Sequence, residues 1–364
     1  MASRLRVLLH SAAPKADGGG VQNVVMGLAR HLVGEGHDVA VAWPDGDGTP
    51  ADWRLDLTAD VGRGGRPGPR TWLRAAGQGA ALARRLRAWS PDVVNLHFPR
   101  GSSLYFAALA RVMRFELVLS FHNSDLHQAS PALRRALPRL LRTADGVTAV
   151  SGDLAAAIRD VQEDVRVVTI PNGIDVGFWS RTSGPRDPLL AVAAGRLTGM
   201  KGFDVLLRAF RDGAPDGSRL VLAGEGEDRS TLESLAETLG LRDRITFAGR
   251  LDREGLRDLY GSAGLFVMPS RREGLPLALL EAMCAGLPVV ASSIGGVRDV
   301  MTEATGEMVP PDDPGALADA LRRWLGEGDR LRMAGRAAGA RAAGFSEHAC
   351  YAGYEALFRE VRGG

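Results

Sequence analysis

The feature that most constrains this chain is the alternation of short, almost wholly apolar runs with helix-compatible segments. The first runs are typical of buried strands and read LRVLLHS, DVAVAWP, PDVVNLHF, FELVLSFHN and DGVTAVS. The pattern restarts after residue 185 with PLLAVAAG, SRLVLAGEG, DRITFAG, GLFVMPS and LPVVASS. Strands that are apolar on both faces predict parallel sheets covered by helices on each side. The chain is therefore predicted to be α/β, with two Rossmann-like, doubly wound parallel-sheet domains.

The domain boundaries follow from length and turn composition. At 364 residues the chain is too long for one ordinary core, and the turn-rich segment 170–188 marks the join. We predict an N-terminal domain over 1–172, a second domain over 173–345 and a final helix over 346–364. The Gly-, Pro- and Asp-rich stretch 45–70 is expected to form a long loop.

Composition narrows the class of protein. A net charge of +2 argues against a dedicated nucleic-acid binder. The two cysteines, Cys284 and Cys350, provide no disulfide framework and no metal-ligand spacing, which fits a reducing compartment. No apolar run approaches the roughly 18 residues needed to span a bilayer. We expect a cytoplasmic protein without a nucleic-acid partner.

Positive charge is concentrated in the first half of the chain. Between residues 54 and 142 there are 15 arginines and five acidic residues. Within this segment, residues 131–142 place leucines on one helical face and arginines on the other. Two interpretations stay open: the helix rests peripherally on the anionic inner face of the cell membrane, or the leucines face the core and the arginines are solvated.

The segment RREGLPLALLEAMCAGLPVVAS carries two carboxylates eight residues apart, Glu273 and Glu281. Pro276 suits the first turn of a helix, which makes the amides of Gly274 and Leu275 an anion site. Glu281 can accept two hydrogen bonds from a ribose diol, while Glu273 lies closer to whatever a bound diphosphate carries. The alternative is a helix with an acidic start and an incidental glutamate.

A second candidate segment is AAGRLTGMKGFDVLLRAF, which follows a predicted strand. Arg196 and Lys201 would neutralise charge that develops on a diphosphate leaving group. The chain contains two lysines, Lys15 and Lys201, and uses arginine elsewhere. This favours a compact point charge at Lys201, although a solvated lysine in a turn remains the alternative.

Three further sequence features are weaker evidence for a functional site. The glycines of DGGGVQNVV can cradle an anion or form a mobile linker, and they lack the G-x-G-x-x-G spacing. His97 and His122 each end a predicted strand, where a histidine is more often a satisfied polar residue than a catalyst. Asp45 and Asp47 match an Asp-x-Asp metal pattern, but their Gly- and Pro-rich loop favours aspartate for turn reasons.

Taken together, these motifs resemble the retaining glycosyltransferases of family 4, which have the GT-B fold of two Rossmann-like domains facing across a cleft. The matching stretches run through nearly the whole chain in the family's order and include GGGVQNVV, FHNSD, IPNGID and LVLAGEGEDRSTLESLAETLGLRDRITFAGRL. The E-x7-E pair of Glu273 and Glu281 is the most specific of them. The chain departs from the family at GGVRD, so no role is assigned to Asp299.

The resemblance implies transfer of a hexose from a UDP- or GDP-sugar to an acceptor hydroxyl, with retention and without a metal or other cofactor. It also implies that the final helix over 346–364 crosses back to the N-terminal domain. It places Arg196 and Lys201 on the diphosphate, with Glu273 near the transferred sugar and Glu281 on the ribose. The remaining implied contacts are His122 beside the transferred sugar, Gly20 and Val21 near the phosphates and acceptor, the Gly249–Arg250 turn at the base, and the Gly274 and Leu275 amides on the diphosphate.

Several alternatives are weighed against this function. A phosphorylase of the same fold needs a pyridoxal phosphate lysine, for which neither lysine has a suitable context. A sugar-nucleotide epimerase would act without an acceptor, and an inactive homologue would only bind the nucleotide sugar. For the acceptor, assembly of cell-surface polysaccharide or glycolipid is favoured over a small natural product. The abundance of Ala, Arg and Gly suggests a GC-rich bacterial gene.

Overall fold

A computed structural model of the chain divides into two units, Met1–Pro171 with His348–Gly364, and Asn172–Glu347. We refer to them as unit 1 and unit 2. The structure describes residues 3–15, 19–49, 51–55, 57, 69–122, 126, 129–182 and 184–363, without the side chains of 69–72.

Unit 1 contains a seven-stranded parallel sheet with strand order β3-β2-β1-β4-β5-β6-β7. Its strands are β1 (Arg6–Ser11), β2 (Asp38–Trp43), β3 (Asp52–Arg54), β4 (Val93–His97), β5 (Glu116–Phe121), β6 (Gly146–Ala149) and β7 (Val167–Thr169). The five apolar runs predicted as strands form β1, β2, β4, β5 and β6. The strand order reverses between β1 and β4, so the loops that follow these two strands leave the same edge of the sheet.

In the described part of unit 1, the helices that precede the join include α1 (Gly20–Gly34), α2 (Pro69–Trp89), α3 (Ser103–Ala110), α4 (Pro131–Thr143) and α5 (Gly152–Val161). Their starts follow from local chemistry. The Ser130 hydroxyl accepts a hydrogen bond from the Leu133 amide at 3.2 Å, and Pro131 occupies the first turn of α4. Ser151 caps α5 in the same way, through the Leu154 amide at 3.3 Å.

The stretch 45–70 is not wholly loop. Strand β3 lies within it and pairs in parallel with β2, and α2 begins at its end. Trp53 is 2% exposed in this strand, and the Arg85 guanidinium lies 4.3 Å from its ring centroid. A three-residue strand among turn-forming residues carries too little periodicity to be recognised from sequence. Residues 56 and 58–68 lie outside the described part of the chain.

The structure of helix α4 shows what the leucines of residues 131–142 pack against. Its leucines, Leu133, Leu137, Leu140 and Leu141, are all buried within unit 1. The leucines therefore face the core of unit 1, as the second interpretation expected, while peripheral contact of this helix with a membrane stays a prediction. The arginines of the opposite face, Arg134, Arg135, Arg139 and Arg142, are exposed.

Unit 2 contains a six-stranded parallel sheet with strand order β10-β9-β8-β11-β12-β13. The strands are β8 (Asp187–Ala194), β9 (Arg219–Ala223), β10 (Ile245–Gly249), β11 (Ala263–Met268), β12 (Val289–Ser292) and β13 (Gly306–Val309). The five predicted strands are β8 to β12, and β13 was not predicted. It is a four-residue edge strand, and its Met308 is 37% exposed, so it lacks the fully apolar run of the inner strands.

The helices of unit 2 lie on both faces of this sheet. They are α6 (Val176–Trp179), α7 (Phe203–Gly213), α8 (Arg229–Thr238), α9 (Arg253–Ser262), α10 (Leu277–Cys284), α11 (Gly295–Val300), α12 (Pro314–Trp324) and α13 (Gly328–Ala342), with a 3-10 turn at Gly199–Lys201. Helices α7 and α12 approach closely, since a Cβ at Gly213 would lie 2.0 Å from the Ala318 carbonyl oxygen. A side chain at that glycine would push the two helices apart.

The final helix, α14 (Glu347–Gly363), belongs to unit 1. Tyr354 and Phe358 pack into the same core as β1, β2 and α1. Polar contacts add to this packing, because the Glu355 carboxylate lies 3.2 Å from His37 Nε2 and 2.7 Å from Arg359. The chain thus returns to unit 1 after completing unit 2.

Candidate active site

The centre of the candidate site lies where the strand order of unit 2 reverses, between β8 and β11. Lys201 follows β8 and Glu273 follows β11, and Lys201 Nζ lies 2.5 Å from Glu273 Oε1. The Ser270 hydroxyl donates to the same oxygen at 2.9 Å. The lysine and glutamate side chains are 25% and 11% exposed, so the ion pair is largely shielded from water. Ligands of open parallel sheets bind at such reversal points, beyond the carboxyl ends of the strands.

Gly202 allows the two loops that carry this ion pair to meet. Its φ is +65°, and a Cβ at this position would lie 2.1 Å from the Pro269 carbonyl oxygen. A side chain therefore meets both a left-handed backbone and a clash with backbone that cannot move aside.

We expect Gly202→Ala to lower the free energy of unfolding by about 3 kcal/mol, from the left-handed conformation and the clash combined. The matched control is Gly240→Ala, since Gly240 has φ +70° but a Cβ added there would meet open space. That variant should lose only about 1 kcal/mol. Urea unfolding measures both, and equal losses would contradict the close approach.

Arg271 fixes the loop after β11 to the loop after β8. Its guanidinium makes two parallel hydrogen bonds to the Asp204 carboxylate, both 2.9 Å, and Nε donates to Asp312 at 2.6 Å. Its amide donates to the Met200 carbonyl at 2.9 Å, and its guanidinium also donates to the Gly199 carbonyl. Bidentate pairing of this kind restricts orientation, so the loop positions around Lys201 and Glu273 are mutually held. Arg271 was not among the predicted site residues.

Glu281 lies on the second turn of α10 in an environment that disfavours its charge. Burial raises the pKa of Glu281 to about 7, and the Arg253 guanidinium only partly opposes this. Within the described residues its carboxylate makes no side-chain hydrogen bond. The Tyr260 hydroxyl, whose pKa is raised by burial and by Glu281, is buried without a described partner. A carboxyl group in this state can accept hydrogen bonds from a ligand that supplies hydroxyls.

The amides of Gly274 and Leu275 precede α10, whose N-cap is Pro276. Within the described residues neither amide donates a hydrogen bond. The carbonyl groups of this loop are contacted by two other residues. Asn172 Nδ2 donates a hydrogen bond to the Leu275 oxygen at 2.8 Å. Gly296 packs against the Gly274 oxygen, since a Cβ at Gly296 would lie 1.8 Å from it. Asn172 and Gly296 are therefore supporting residues that the sequence motifs contained but our interpretation did not assign.

The remaining candidate residues of unit 2 lie at the carboxyl ends of β8 and β10, on the same edge of the sheet. Arg196 is exposed directly after β8 and forms no ion pair among the described residues. Gly249 ends β10 with φ +69°, and its carbonyl accepts a hydrogen bond from the Gly224 amide at 2.7 Å. Arg250 follows and is exposed. The structure thus brings these residues to the carboxyl edge of the sheet that also carries Lys201 and Glu273.

In unit 1, Gly20 and Val21 form the first turn of α1. Gly20 is exposed, whereas Val21 packs partly against the core. The side chain of Gln22 holds this turn, since its Oε1 accepts from the Gly19 amide at 3.1 Å and its Nε2 donates to the Pro14 carbonyl at 2.9 Å. Gln22 was not predicted, and the glutamine two positions after the helix start is the signal that marks it.

The two strand-end histidines lie together. His97 Nδ1 is 3.0 Å from His122 Nε2, and both side chains are buried. Burial lowers the pKa of His122 to about 4 and, with the two neighbouring histidines, holds the pKa of His97 well below its usual range. Both rings are therefore neutral at pH 7. The resemblance assigned a role to His122 and none to His97, yet in the structure the two side chains are in direct contact.

The Asp-x-Asp pair forms turn contacts. Asp45 accepts a hydrogen bond from the Lys15 amide at 2.6 Å, and Asp47 accepts from the Thr49 amide at 2.9 Å. These are the bonds that aspartates make in loops. In the part of the chain that the structure describes, no cluster of three metal-binding side chains occurs. None of the helices described there has the length and apolar character needed to cross a membrane.

Comparison with known proteins gives the family. A model of Glycosyltransferase Family 4 matches residues 18–178, and a model of Glycosyl transferases group 1 matches residues 178–341. Phosphatidyl-myo-inositol mannosyltransferase of Mycobacterium leprae is 33% identical over 341 residues, which cover 89% of this chain and 88% of the relative. The corresponding Propionibacterium freudenreichii protein is 31% identical over 351 residues, 88% of this chain and 86% of the relative. The chain belongs to glycosyltransferase family 4.

Solved structures support the same fold. Sucrose-phosphate synthase from Thermosynechococcus elongatus matches with a TM-score of 0.82 at 23% identity, over 98% of this chain and 99% of that one. HepE from Anabaena, in complex with UDP-glucose, matches with a TM-score of 0.75 at 19% identity, over 97% of this chain and 99% of that one. The fold is GT-B, and the protein is a glycosyltransferase.

Proposed function

We propose that this glycosyltransferase moves a hexose from a UDP- or GDP-sugar to an acceptor hydroxyl, with retention of configuration, in the assembly of cell-surface polysaccharide or glycolipid. The observation that carries the proposal is the shielded Lys201–Glu273 ion pair at the strand reversal of unit 2. A lysine held there by a carboxylate is a fixed positive charge, ready for an anionic diphosphate.

The donor contacts follow from the same edge of the sheet. The amides of Gly274 and Leu275 and the side chains of Arg196 and Lys201 would bind the diphosphate. Glu281 would accept hydrogen bonds from the ribose, Gly249 and Arg250 would border the base, and Glu273 would contact the transferred hexose. In unit 1, His122 would contact the hexose, and the turn of Gly20 and Val21 would approach the phosphates and the acceptor.

In the proposed reaction the bond between the anomeric carbon and the phosphate oxygen breaks while the acceptor oxygen bonds to the same face. The departing phosphate oxygen takes the acceptor proton, so no separate base is needed. Lys201 and Arg196 stabilise the negative charge that grows on the leaving diphosphate. The reaction therefore requires no second nucleophilic carboxylate, unlike that of the retaining glycosidases.

The proposed class of acceptor is supported by the names of related proteins. Two relatives that match over 86% and 88% of their own length are named phosphatidyl-myo-inositol mannosyltransferases, and a Bacillus subtilis relative is named a putative teichuronic acid biosynthesis glycosyltransferase. These names favour a cell-envelope acceptor. A small natural-product acceptor is the second candidate, because an alpha-D-kanosaminyltransferase of Streptomyces kanamyceticus is 34% identical over 49% of this chain.

Peripheral membrane contact is part of this proposal. The exposed arginines of α4 would attract an anionic surface by charge alone, without insertion of the buried leucines. Such binding should weaken as the salt concentration rises, because screening shortens the range of the attraction.

The proposed donor site predicts selective thermal stabilisation by UDP, GDP or ADP and their sugar derivatives. One nucleotide and its sugar should raise Tm, since a ligand that binds only the folded protein stabilises it by mass action. The shift should be the same with and without EDTA, because the site is proposed to need no metal. No shift with any nucleotide, or a shift that EDTA abolishes, would contradict the corresponding part of the proposal.

A further inference from the structure

A buried chain of polar side chains leads to His122 across two strands of unit 1. Ser120 Oγ lies 2.8 Å from Asn95 Oδ1, Asn95 Nδ2 lies 2.9 Å from His97 Nε2, and His97 Nδ1 lies 3.0 Å from His122 Nε2. Strands β4 and β5 bring these residues into register, with His97 opposite Ser120. Ser120 and Asn95 are each 0% exposed and His97 is 1% exposed. We call this set the Ser120 relay.

The donor and the acceptor of each hydrogen bond in the Ser120 relay can be assigned, starting from Ser120. Within the described residues, Asn95 Oδ1 is the acceptor that hydrogen-bonds the Ser120 hydroxyl, and no second acceptor does so. If the Asn95 amide were reversed, the hydroxyl would have to accept, and its buried proton would lose its acceptor. A buried polar group without a partner is costly, so the hydroxyl donates to Asn95.

Because the Ser120 hydroxyl donates to Asn95, the tautomers of both imidazole rings follow one after the other. Because Asn95 Nδ2 is a donor, His97 Nε2 must accept, which puts the His97 proton on Nδ1. His97 Nδ1 then donates to His122 Nε2, which puts the His122 proton on Nδ1. Both rings must be neutral for this assignment, and burial of both side chains keeps them so.

We propose that Asn95 and His97 are positioning residues that hold His122 as the neutral Nδ1–H tautomer, so that this nitrogen acts as a hydrogen-bond donor in the transfer. The inference deepens the proposed function and rests on it, since His122 is proposed there to contact the transferred hexose. A donor at this position would bind a sugar oxygen and could not remove a proton from the acceptor. The departing phosphate remains the base.

Nitrogen NMR of protein labelled with ¹⁵N-histidine tests the tautomers directly. His97 and His122 should each show a protonated Nδ1 and a bare Nε2 at pH 7, with His122→Gln used to assign the His122 signals. A protonated Nε2 on either ring overturns the proposal. This readout needs no turnover, so it stands apart from the activity that would test the proposed function.

A second experiment measures the kinetics of Asn95→Leu and compares them with those of Thr148→Val. The first variant removes the donor to His97, so the His122 tautomer should become mixed and kcat should fall about ten-fold, with the donor KM changed less than about two-fold. Thr148 lies opposite Ser120 on β6 and its buried hydroxyl has no described partner. Thr148→Val should therefore leave both the tautomer and kcat unchanged.

Ser120→Ala provides the same comparison if Asn95→Leu does not fold. A variant that mixes the tautomers but keeps the wild-type kcat would overturn the positioning role. A wild-type protein that shows the expected tautomers but transfers no sugar from any nucleotide donor would instead overturn the proposed function. The two failures are therefore distinguishable.

Discussion

Replacing Lys201 with alanine should lower kcat by about 10³-fold, because it removes a fixed positive charge from the leaving diphosphate. The donor KM should change much less, since the charge on the leaving oxygen is greatest in the transition state. The Lys201–Glu273 contact of 2.5 Å and the Ser270 bond of 2.9 Å hold the ammonium in place before any ligand binds. Steady-state kinetics with the donor identified by thermal shift measure the effect.

The matched control for this substitution is Arg211→Ala. Arg211 is on α7, a short distance along the chain from Lys201, and it pairs with Asp212 at the surface. Removing this charge should leave kcat unchanged, as expected for an exposed surface ion pair. Near wild-type turnover in Lys201→Ala, at an unchanged Tm, would show that Lys201 does not serve the leaving group.

Glu281→Gln should stabilise the protein and weaken donor binding at the same time. Above pH 8 the wild-type carboxylate is charged in a buried position, and its shift from 4.5 to about 7 corresponds to about 3 kcal/mol of lost stability. The amide avoids that cost. The ribose would lose a charged acceptor for its two hydroxyls, and we expect an increase of about 10²-fold in the donor Kd.

The pH dependence follows from the raised pKa of Glu281. The folded protein holds this proton more tightly than the unfolded chain does, so the group's contribution is fully present below its ordinary pKa of 4.5. It is lost as pH rises through about 7. The stability advantage of Glu281→Gln should therefore grow between pH 5 and pH 8.5, as measured by urea unfolding across that range.

Donor binding should also release a proton through Glu281. Near pH 7 about half of this carboxyl is protonated, and ribose hydroxyls that donate to the carboxylate favour the charged form. Calorimetry of nucleotide-sugar binding in buffers of different ionisation enthalpy should show about half a proton released at pH 7 and almost none at pH 8.5. Glu281→Gln should release none, and equal release by both proteins would contradict the contact.

Glu307→Gln is the control for the stability effect. The Arg323 and Trp324 side chains hydrogen-bond Glu307 and hold its pKa below the usual value despite partial burial. Loss of this carboxylate should therefore destabilise the protein at pH 7, opposite in sign to Glu281→Gln. If both substitutions moved stability in the same direction, the environment assigned to Glu281 would be wrong.

Sequence was sufficient for the elements whose signal is local. Continuous apolar runs predicted ten of the strands, and the E-x7-E spacing identified the glutamates that flank the start of α10. Three short strands were not predicted, because they lack the continuous buried run that the equally short β6 and β12 have. Val167–Thr169, like Asp52–Arg54 and Gly306–Val309, has at most four residues and an incomplete apolar face.

The supporting contacts of the site were not predictable because they join residues distant in sequence. Lys201 and Glu273 are 72 positions apart, and their 2.5 Å contact depends on β8 pairing with β11. Gly296 is a common residue type whose importance appears only because a Cβ at that position would meet the Gly274 oxygen. Arg271 likewise resembles any other arginine in an arginine-rich chain until Asp204 and Asp312 are placed beside it.

We propose that this chain transfers a hexose from a nucleotide sugar with retention. The most direct measurement is real-time proton NMR of slow donor hydrolysis, with water as the acceptor and the α-linked donor identified by thermal shift. The α-anomer of the free hexose should appear first, and the β-anomer should follow by mutarotation. First appearance of the β-anomer would contradict retention, and an epimerised nucleotide sugar would contradict transfer itself.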